Sequence, residues 1–213
     1  MSTQILILRH GETAWNRGTI FRGTYDIPLN KNGKQQARLA AEALKDTVID
    51  VAYTSPLSRA SESAAIVTEC HGITPVPHDG FLDLDYGEWT GKEDSEVAKT
   101  WPNEHKAWTT NPHSVRPPGG TTLKEVFYRS FTAMEELAER HDGGTIAIVA
   151  HRVVNKLLIM GALSLGLERF PFIIQGNCCI NRIEKIRSGY LIHSINDVSH
   201  IKNAGTALLD TDF

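Results

Sequence analysis

Cysteine is scarce in this chain, and its spacing forms no ligand motif. The 213 residues include three cysteines, Cys70, Cys178 and Cys179, an odd number with no CxxC pair. A disulfide framework uses an even number of cysteines, and a structural zinc site uses paired ligands such as CxxC. The count therefore argues against both, and we expect all three residues to be small, buried apolar side chains.

The sequence also lacks an excess of positive charge and any long apolar run. Its formal net charge is -3 at pH 7, so it has no global basic surface of the kind on which non-specific nucleic-acid binding depends. The apolar run at residues 5–8 is interrupted by charge and is far shorter than the ~20 residues of a membrane span. We expect a soluble, cytoplasmic protein with neither nucleic acid nor a membrane as partner.

Internal repeats and low-complexity segments are absent as well. A length of 213 residues is enough for one large α/β domain or two small ones. The stretch richest in proline and glycine, residues 111–120, is interpreted as a lid or a surface crossing and not as a domain linker. We therefore predict a single domain that spans residues 1–213.

The most informative stretch is residues 5–16, ILILRHGETAWN. Its four leading apolar residues predict a buried strand, which is followed at once by Arg9, His10 and Gly11. In open α/β sheets ligands bind at the carboxyl ends of the strands, and glycine lets the backbone approach them closely. His10 is thus a candidate for chemistry. The alternative is a hydrogen-bonded core histidine beside a surface arginine.

A second strand ends in the same way. Residues 145–150 predict a buried strand followed by His151, and residues 152–165 predict a helix directly after it. A single buried histidine is more often structural than functional. Two strands that each deliver an imidazole to one edge of a sheet nevertheless indicate a shared site.

A further cation lies where a helix disfavours it. Ser55 and Pro56 predict the N-cap and first position of a helix that extends to about residue 71. Arg59 then falls in the first turn, where the helix dipole opposes positive charge unless an anion is bound. The alternative is a surface ion pair between Arg59 and Glu62.

The remaining predicted elements surround these segments. Asn30 is predicted to cap a helix through residue 46, and Thr121 or Thr122 to cap a long amphipathic helix through residue 141. The others are a strand over 48–53, an edge strand over 72–77, one or two short helices within 95–110, a hairpin of 177–184 and 190–196, and a loose tail over 203–213.

The polar residues expected at the carboxyl edge form a cationic set. Several positive charges in a small pocket of an acidic protein favour a dianionic partner, and guanidinium groups match the oxygens of a phosphoryl group bidentately. The set comprises Arg9, His10, Asn16, Arg22, Arg59 and His151, with Asp83 nearby.

Phosphoryl transfer assigns roles within this set. A strand-end histidine held through Nδ1 by the backbone would aim Nε2 of His10 at phosphorus as a nucleophile. The cations Arg9, Arg59 and His151 would stabilise the charge on the equatorial oxygens of the transition state.

The leaving alkoxide needs an acid. The acidic and aromatic segment at residues 81–91, FLDLDYGEWTG, supplies candidates, although a solvated acidic loop is the default interpretation. We assign the acid to Asp83, with Glu12 and Asp85 in reserve.

These residues resemble the signature of the histidine phosphatase superfamily, the phosphoglycerate mutase-like proteins. The resemblance covers about the whole domain and implies a three-layer α/β/α sandwich around a mostly parallel six-stranded sheet. The matching motifs are LRHGET at 8–13 with Asn16, RG at 22–23 with DIPL at 26–29, SPL at 55–57 with Arg59 and Glu62, DYGEW at 85–89 with Gly91, GG at 119–120, and VAH at 149–151.

The resemblance also implies a chemistry. It places a phosphohistidine intermediate on His10 and a phosphate pocket around Arg9, Arg59 and His151, and it calls for no metal and no other cofactor. By the same analogy the acid falls on Asp83.

Three departures from the family pattern bear on the substrate. Asp83 is one methylene shorter than the glutamate that is usual there, so the proton could be delivered through water. Arg22 replaces a usual glutamine and adds a cation that could hold a carboxylate or a second phosphate. Arg152 replaces a usual glycine and adds one more cation at a helix N-terminus. With Asn16 and Gly23, these arginines are predicted to bind substrate.

We therefore expect a phosphoric monoester hydrolase of the histidine acid type, from the phosphatase branch of the family. Its partner would be a small phosphorylated metabolite that resembles phosphoserine or phosphoglycerate, and a homodimer is left open. The compact segment between Gly91 and Gly119 is more similar to the family's phosphatases than to its mutases, which carry a longer insertion that shields phosphohistidine from water.

Other functions stay open at this point. One alternative is a phosphoglycerate mutase primed by 2,3-bisphosphoglycerate. Another is a phosphate-binding relative that has lost turnover. A third is a metalloenzyme that uses His10, His151 and His200, although these residues lack the HxH or HExxH spacing of a metal site.

Overall fold

The computed structural model describes residues 1–17 and 19–204, which are organised around a mixed six-stranded sheet. The order across the sheet is β3-β2-β4-β1-β5-β6. The first four strands in this order pair in parallel, whereas β5 is antiparallel to both of its neighbours. The mostly parallel sheet is therefore confirmed. Its strands are β1 Thr3–Arg9, β2 Val51–Thr54, β3 Val76–Pro77, β4 Thr145–Ala150, β5 Ile180–Ile186 and β6 Gly189–Asp197.

Helices cover both faces of this sheet. They are α1 Lys31–Leu44, α2 Ser58–Thr68, α3 Asp94–Thr100, α4 Pro102–Thr110, α5 Leu123–Arg140, α6 Arg152–Ala162 and α7 Ser199–Asn203. Short 3₁₀ turns lie at Ala14–Arg17, Glu69–His71, Asp79–Phe81, Gly87–Trp89, Pro112–Ser114 and Leu167–Phe172.

The alternation of side chains along β1 builds the three layers. Successive residues of a strand point to opposite faces. Ile5 and Ile7 pack in the core that includes residues of α5 and α6, whereas Leu6 and Leu8 pack in the core that includes residues of α1, α2 and α7. All four are buried. The predicted α/β/α sandwich is confirmed.

Two predicted helix caps are present. The Asn30 side chain accepts from the amide of Gly33 at 2.8 Å. Thr122 and Glu125 form a reciprocal capping box at the start of α5. Such a cap stabilises a helix by about 1 kcal/mol. The local sequence therefore fixes where these two helices begin.

The predicted cap at Ser55 is wrong. Helix α2 begins at Ser58, and Leu57 stands at the N-cap position without a side-chain cap bond. The Ser55 hydroxyl instead lies 2.7 Å from Nε2 of His151, the residue between β4 and α6. Arg59 still falls in the first turn of the helix, as predicted.

Other differences are local. Cys178 and Cys179 are buried as expected, but Cys70 is exposed. The edge strand at 72–77 is shortened to Val76–Pro77, because only these residues pair with β2. Of the predicted loose tail, residues 205–213 lie outside the described residues. Within the described part of the chain, no helix combines the length and apolar character needed to cross a membrane.

Candidate active site

Strands β1 and β4 bring His10 and His151 together. The strands pair in parallel register, with Arg9 opposite Ala150, and the residue that follows the last residue of each strand is a histidine. The His10 amide donates to the carbonyl of Ala150 at 3.0 Å. The two imidazole centroids are 5.3 Å apart, with an interplanar angle of 61°. Two residues 141 positions apart in sequence therefore share one site at the carboxyl edge of the sheet.

The backbone fixes the orientation of the His10 ring. Its Nδ1 atom lies 2.7 Å from the carbonyl oxygen of Gly11. Because a carbonyl can only accept, Nδ1 carries the hydrogen and Nε2 carries the lone pair. Burial first, and then the positive charges of the neighbouring arginines, Arg59 foremost, hold the pKa of His10 well below its usual value. The ring is therefore neutral near pH 7, with a basic nitrogen at Nε2.

His151 is oriented by the opposite nitrogen. Ser55 Oγ accepts a weak bond from the Leu57 amide at 3.4 Å, so its own hydrogen is available to donate to Nε2 of His151 at 2.7 Å. The ring hydrogen then lies on Nδ1, which has no hydrogen-bond partner within the described residues. Burial and the nearby arginines, Arg59 first, hold the pKa of His151 well below its usual value. A buried N–H without a partner is ready to bind an acceptor.

Arg59 is buried against the loop that follows β1. Its Nη2 atom donates to the Gly23 carbonyl at 2.7 Å, and its Nη1 atom donates to the Tyr25 carbonyl at 2.8 Å. The alternative of a surface ion pair with Glu62 is wrong, because Glu62 pairs with Lys34 at 3.4 Å and Arg59 has no exposed surface.

Arg9 is held from the other side of the site. Its Nη1 atom donates to the carbonyl of Gln175 at 2.7 Å. Gln175 lies on the loop before β5, and its side chain exchanges two hydrogen bonds with the amide of Asn181, at 2.8 and 2.9 Å. Asn177 of the same loop donates to the carbonyl of His10 at 3.2 Å. This buried loop therefore braces both Arg9 and His10.

Asp83 lies between Arg59 and His151. Its Oδ2 atom is 3.2 Å from Nη2 of Arg59 and 3.6 Å from Nδ1 of His151. Its Oδ1 atom accepts from the Leu84 amide at 3.0 Å. Arg129 of α5 donates to the backbone carbonyls of Leu82 and Asp83. The Asp83 side chain is 12 % exposed and lines the pocket.

The two reserve carboxylates have structural partners. Glu12 is buried and accepts from the side-chain amides of Asn30 and Asn32, each at 2.7 Å. Asp85 accepts from the Gly87 amide at 2.9 Å. Neither lines the pocket beside His10. Among Glu12, Asp83 and Asp85, only Asp83 is placed to serve as an acid there.

The pocket gathers most of the predicted site residues. Arg59 and His151 are fully buried behind its wall. Asn16 does not line it; the Asn16 side-chain oxygen instead accepts from the amide and hydroxyl of Thr13 at 2.8 and 2.9 Å. The lining residues are Arg9, His10, Thr19, Ile20, Phe21, Arg22, Gly23, Asp83, Tyr86, Arg152 and Val153.

Positive charge dominates this pocket. Burial and the charge of Arg152 lower the pKa of Arg22 to about 10, and burial lowers the pKa of Arg152 itself. Asp83 is the one carboxylate among the described lining residues. Buried cations that outnumber buried carboxylates are costly unless an anion binds among them. The site therefore fits a multiply charged anion.

Three residues that line the site or contact its residues were not identified as site residues from the sequence: Ser55, Tyr86 and Arg129. The local sequence of Ser55 predicts a helix cap, because a serine before a proline usually is one. Tyr86 lines the pocket, and burial raises the pKa of its hydroxyl to about 12; nothing in its local sequence separates it from a core aromatic residue. Arg129 lies on the amphipathic helix α5, and its local sequence does not distinguish it from an exposed cation.

The geometry gives no support to a three-histidine metal centre. Nε2 of His200 lies 3.1 Å from the carbonyl of Cys178. Within residues 1–17 and 19–204, no three His, Cys, Asp or Glu side chains are grouped so that they could hold a metal ion.

The chain resembles characterised proteins over most of its length. Phosphoserine phosphatase 1 of Hydrogenobacter thermophilus is 31% identical over 167 residues, which are 78% of this chain and 79% of that protein. Phosphoglycerate mutase-like protein 4 of Arabidopsis thaliana is 34% identical over 205 residues, 95% of this chain and 88% of that protein.

A solved structure has the same fold. Bacillus stearothermophilus YhfR superposes with a TM-score of 0.89 at 29% identity, covering 93% of this chain and 99% of that one. The family model for the histidine phosphatase superfamily, branch 1, matches residues 5–198. The chain therefore belongs to the histidine phosphatase superfamily.

Proposed function

We propose that this protein is a metal-independent phosphatase that hydrolyses small phosphomonoesters through a phosphohistidine intermediate on His10. The observation that carries the proposal is the Nδ1 contact of His10 with the Gly11 carbonyl at 2.7 Å. It leaves Nε2 unprotonated beside four buried or half-buried arginines, Arg9, Arg22, Arg59 and Arg152. A neutral imidazole that faces an anion pocket is suited to attack phosphorus.

In the first step, Nε2 of His10 forms a bond to phosphorus and the ester P–O bond breaks. Asp83, which takes up a proton when the incoming phosphoryl group displaces its carboxylate from Arg59 and His151, donates that proton to the departing alkoxide. In the second step, a water oxygen attacks the phosphorus, the P–N bond breaks, and the Asp83 carboxylate accepts a proton from the water. Inorganic phosphate leaves, and His10 and Asp83 return to their starting forms.

The cations stabilise the transferring group. Phosphoryl transfer places charge on three equatorial oxygens, and fixed donors lower that barrier mainly by electrostatics. Arg9 and Arg59 supply guanidinium donors, and His151 supplies the unpartnered Nδ1 hydrogen. The Asp83 carboxylate lies against Arg59 and His151 at 3.2 and 3.6 Å, so a bound phosphoryl dianion competes with it for these donors.

The substrate is proposed to carry an anionic group besides the phosphate. Arg22 and Arg152 line the pocket and exceed what one phosphoryl group needs. A carboxylate of a phosphoserine-like or phosphoglycerate-like ester would pair with Arg22. The Gly23 backbone and the loop that Asn16 braces shape the same wall. The phosphoserine phosphatase of Hydrogenobacter thermophilus, 31% identical, supports this substrate class.

A mutase is the second candidate, and the resemblance to a phosphoglycerate mutase-like protein favours it. Between Gly91 and Gly119 the chain forms only α3, α4 and one 3₁₀ turn. The Pro118 carbonyl accepts from the Glu88 amide at 2.8 Å, so this segment docks beside the pocket loop. Because this segment is short, we expect water to reach a phosphohistidine on His10. Access of water favours hydrolysis over transfer of the phosphoryl group to a second substrate.

The test compares the release of inorganic phosphate with the isomerisation of 3-phosphoglycerate. The purified protein is given a panel of phosphomonoesters, and phosphate release is measured without added metal and with a chelator. 3-Phosphoglycerate is assayed with and without priming 2,3-bisphosphoglycerate. Phosphate release that survives chelation, with ³²P label on His10 in acid-quenched samples, supports the proposal. Primed isomerisation faster than release would favour the mutase, and phosphate binding without release or label would favour a relative without turnover.

A further inference from the structure

A second cavity adjoins the phosphate pocket, and the two share one residue. Arg152 lines both of them. The second cavity has a volume of about 370 Å³, which falls in the range of sites for organic ligands. Trp108 of α4, Pro112 and Phe170 provide most of its apolar wall. Arg152 therefore borders both the phosphate pocket and a larger, mostly apolar space.

A buried lysine belongs to this cavity. Lys156 is 8 % exposed and lines it. Its Nζ atom lies 4.5 Å from the centre of the Phe170 ring and donates to the Phe170 carbonyl at 3.3 Å. An ammonium group has three donors, and the bond to the Phe170 carbonyl is the one hydrogen bond that Lys156 Nζ makes within the described residues. Donors of Lys156 therefore remain for a ligand.

The cavity contains no counter-charge for Lys156. No carboxylate is among its described lining residues, and its second charged member is another cation, Arg152. Burial and the positive charges of Arg152 and Arg9 lower the pKa of Lys156 to about 7. Charged groups this buried are normally paired. An anion bound in the cavity would supply the missing partner and favour the protonated lysine.

The helix sets the spacing of the two cations. Arg152 and Lys156 are four residues apart on α6, so they lie on one face, separated by about 6 Å along the axis. Long helical side chains lean toward the helix N-terminus, and that end of α6 follows His151. The cationic face therefore extends from the phosphate pocket toward the second cavity.

We propose that the second cavity is a subsite for the alcohol portion of the substrate, and that it selects phosphomonoesters whose apolar or aromatic body ends in a second anionic group that pairs with Lys156. This inference rests on the proposed function, because it takes the phosphoryl group to lie at His10. It deepens that function by adding a second substrate class to the phosphoserine-like esters: longer organic anions, with a ring or chain against Trp108 and Phe170.

The test measures equilibrium binding, so that it does not depend on turnover. The probes are benzylphosphonates whose para position carries a carboxylate directly or through one or two methylenes, each matched by its neutral amide. Isothermal titration at pH 6.5 is expected to show at least tenfold tighter binding of one carboxylate than of its amide. Lys156→Met should reduce this ratio to below threefold, whereas Lys106→Met, an exposed lysine on α4, should leave it unchanged.

A second measurement uses only the wild-type protein, so the inference can still be tested if the Lys156→Met variant does not fold. The carboxylate-to-amide affinity ratio should fall as pH rises from 6.5 to 9, because Lys156 loses its charge over that interval. Equal affinities for all three matched pairs would overturn the inference, as would a ratio that neither Lys156→Met nor the pH change alters. If no ester in the panel releases phosphate, the proposed phosphatase activity is refuted. The carboxylate-to-amide affinity ratio still tests whether the second cavity binds an anion at Lys156.

Discussion

The Ser55 hydroxyl lies 2.7 Å from Nε2 of His151, and this contact determines which nitrogen of the ring faces the phosphate pocket. With Nε2 accepting from Ser55, the ring hydrogen is on Nδ1, directed toward the space beside Asp83. The loop after β2 and the end of β4 are thus joined by one hydrogen bond. We therefore propose that Ser55 acts on the reaction only through His151, as a positioning residue.

Ser55→Ala should reduce both activity and stability. Without the hydroxyl, the buried Nε2 atom has lost its partner, which costs about 1–3 kcal/mol of the free energy of unfolding. The ring can also take the other tautomer, which would turn a lone pair toward the phosphoryl oxygens. We expect kcat/KM on 4-nitrophenyl phosphate to fall by tenfold or more, and Ser55→Thr to restore part of it. Urea unfolding and steady-state kinetics measure the two effects.

The matched control for Ser55 is Ser130→Ala. Ser130 is equally buried, but its hydroxyl donates to the Val126 carbonyl within its own helix at 2.8 Å. This variant should keep the wild-type kcat/KM. If both variants lose the same activity, Ser55 has no specific role in orienting His151.

His10→Ala and Asp83→Ala should differ sharply on an activated aryl phosphate. Removing the nucleophile deletes the covalent route, so no turnover of 4-nitrophenyl phosphate is expected from His10→Ala. Removing the acid mainly penalises poor leaving groups, so Asp83→Ala should retain measurable turnover of this ester while losing about 10²-fold or more on an alkyl phosphate. Initial rates on both esters decide the assignment, and equal losses on the aryl ester would contradict it.

The length of the acid side chain gives a separate prediction. Asp83 holds its carboxylate against Arg59 and His151 at 3.2 and 3.6 Å, one methylene short of the glutamate usual in the family. Asp83→Glu should carry the carboxyl group toward the leaving oxygen and raise kcat on alkyl phosphates relative to aryl phosphates. Asp83→Asn is the control, since it keeps the size and removes the proton. A Glu variant with the leaving-group dependence of the Asn variant would contradict direct proton donation.

The sequence predicts those parts of the fold that depend on residues close together in the chain. The apolar runs of β1 and β4 mark buried strands whatever surrounds them, and the histidine that ends each is visible in the sequence. Asn30 and Thr122 cap their helices through contacts three residues away. In each case the partners are close in the chain, so the spacing of residue types carries the information.

Contacts between distant segments were beyond such reasoning. Ser55 and His151 are 96 residues apart, and a serine before a proline has the same sequence signature whether it caps a helix or bonds to a histidine. Lys156 lies on helix α6, and the apolar pattern of the helix is equally consistent with an exposed lysine at this position. Its burial against Phe170 depends on how the Leu167–Phe172 turn packs on α6. These residues became visible only through tertiary packing.

Arg22→Gln should change selectivity more than catalysis. Arg22 lines the pocket and is proposed to pair with a substrate carboxylate, and glutamine is the usual residue in the family. We expect kcat/KM for phosphoserine to fall about tenfold, about 1.4 kcal/mol, which is close to the lower end of the range for a hydrogen bond to a charged group. Propyl phosphate has no carboxylate, so its kcat/KM is the internal reference. Equal losses on both esters would place Arg22 at the phosphoryl group instead.

Stability should depend on pH through the two buried histidines. Burial and neighbouring arginines depress the pKa of both His10 and His151 in the folded protein, whereas an unfolded histidine titrates at about 6.5. Below pH 6.5 the two histidines are therefore protonated in the unfolded chain but not in the folded protein, so the free energy of unfolding decreases as pH falls. Each histidine should add a slope of up to about 1.4 kcal/mol per pH unit.

Urea unfolding without phosphate between pH 5.5 and 8 measures this slope. His10→Asn and His151→Asn should each flatten the decline below pH 6.5, and the double variant should flatten it further, while all the proteins should show the same dependence near pH 8. Phosphate added at low pH should oppose the loss, because it binds only the folded site. If the single variants decline as steeply as the wild type, the two imidazoles already accept protons in the folded state, and His10 is then not the neutral nucleophile that the mechanism requires.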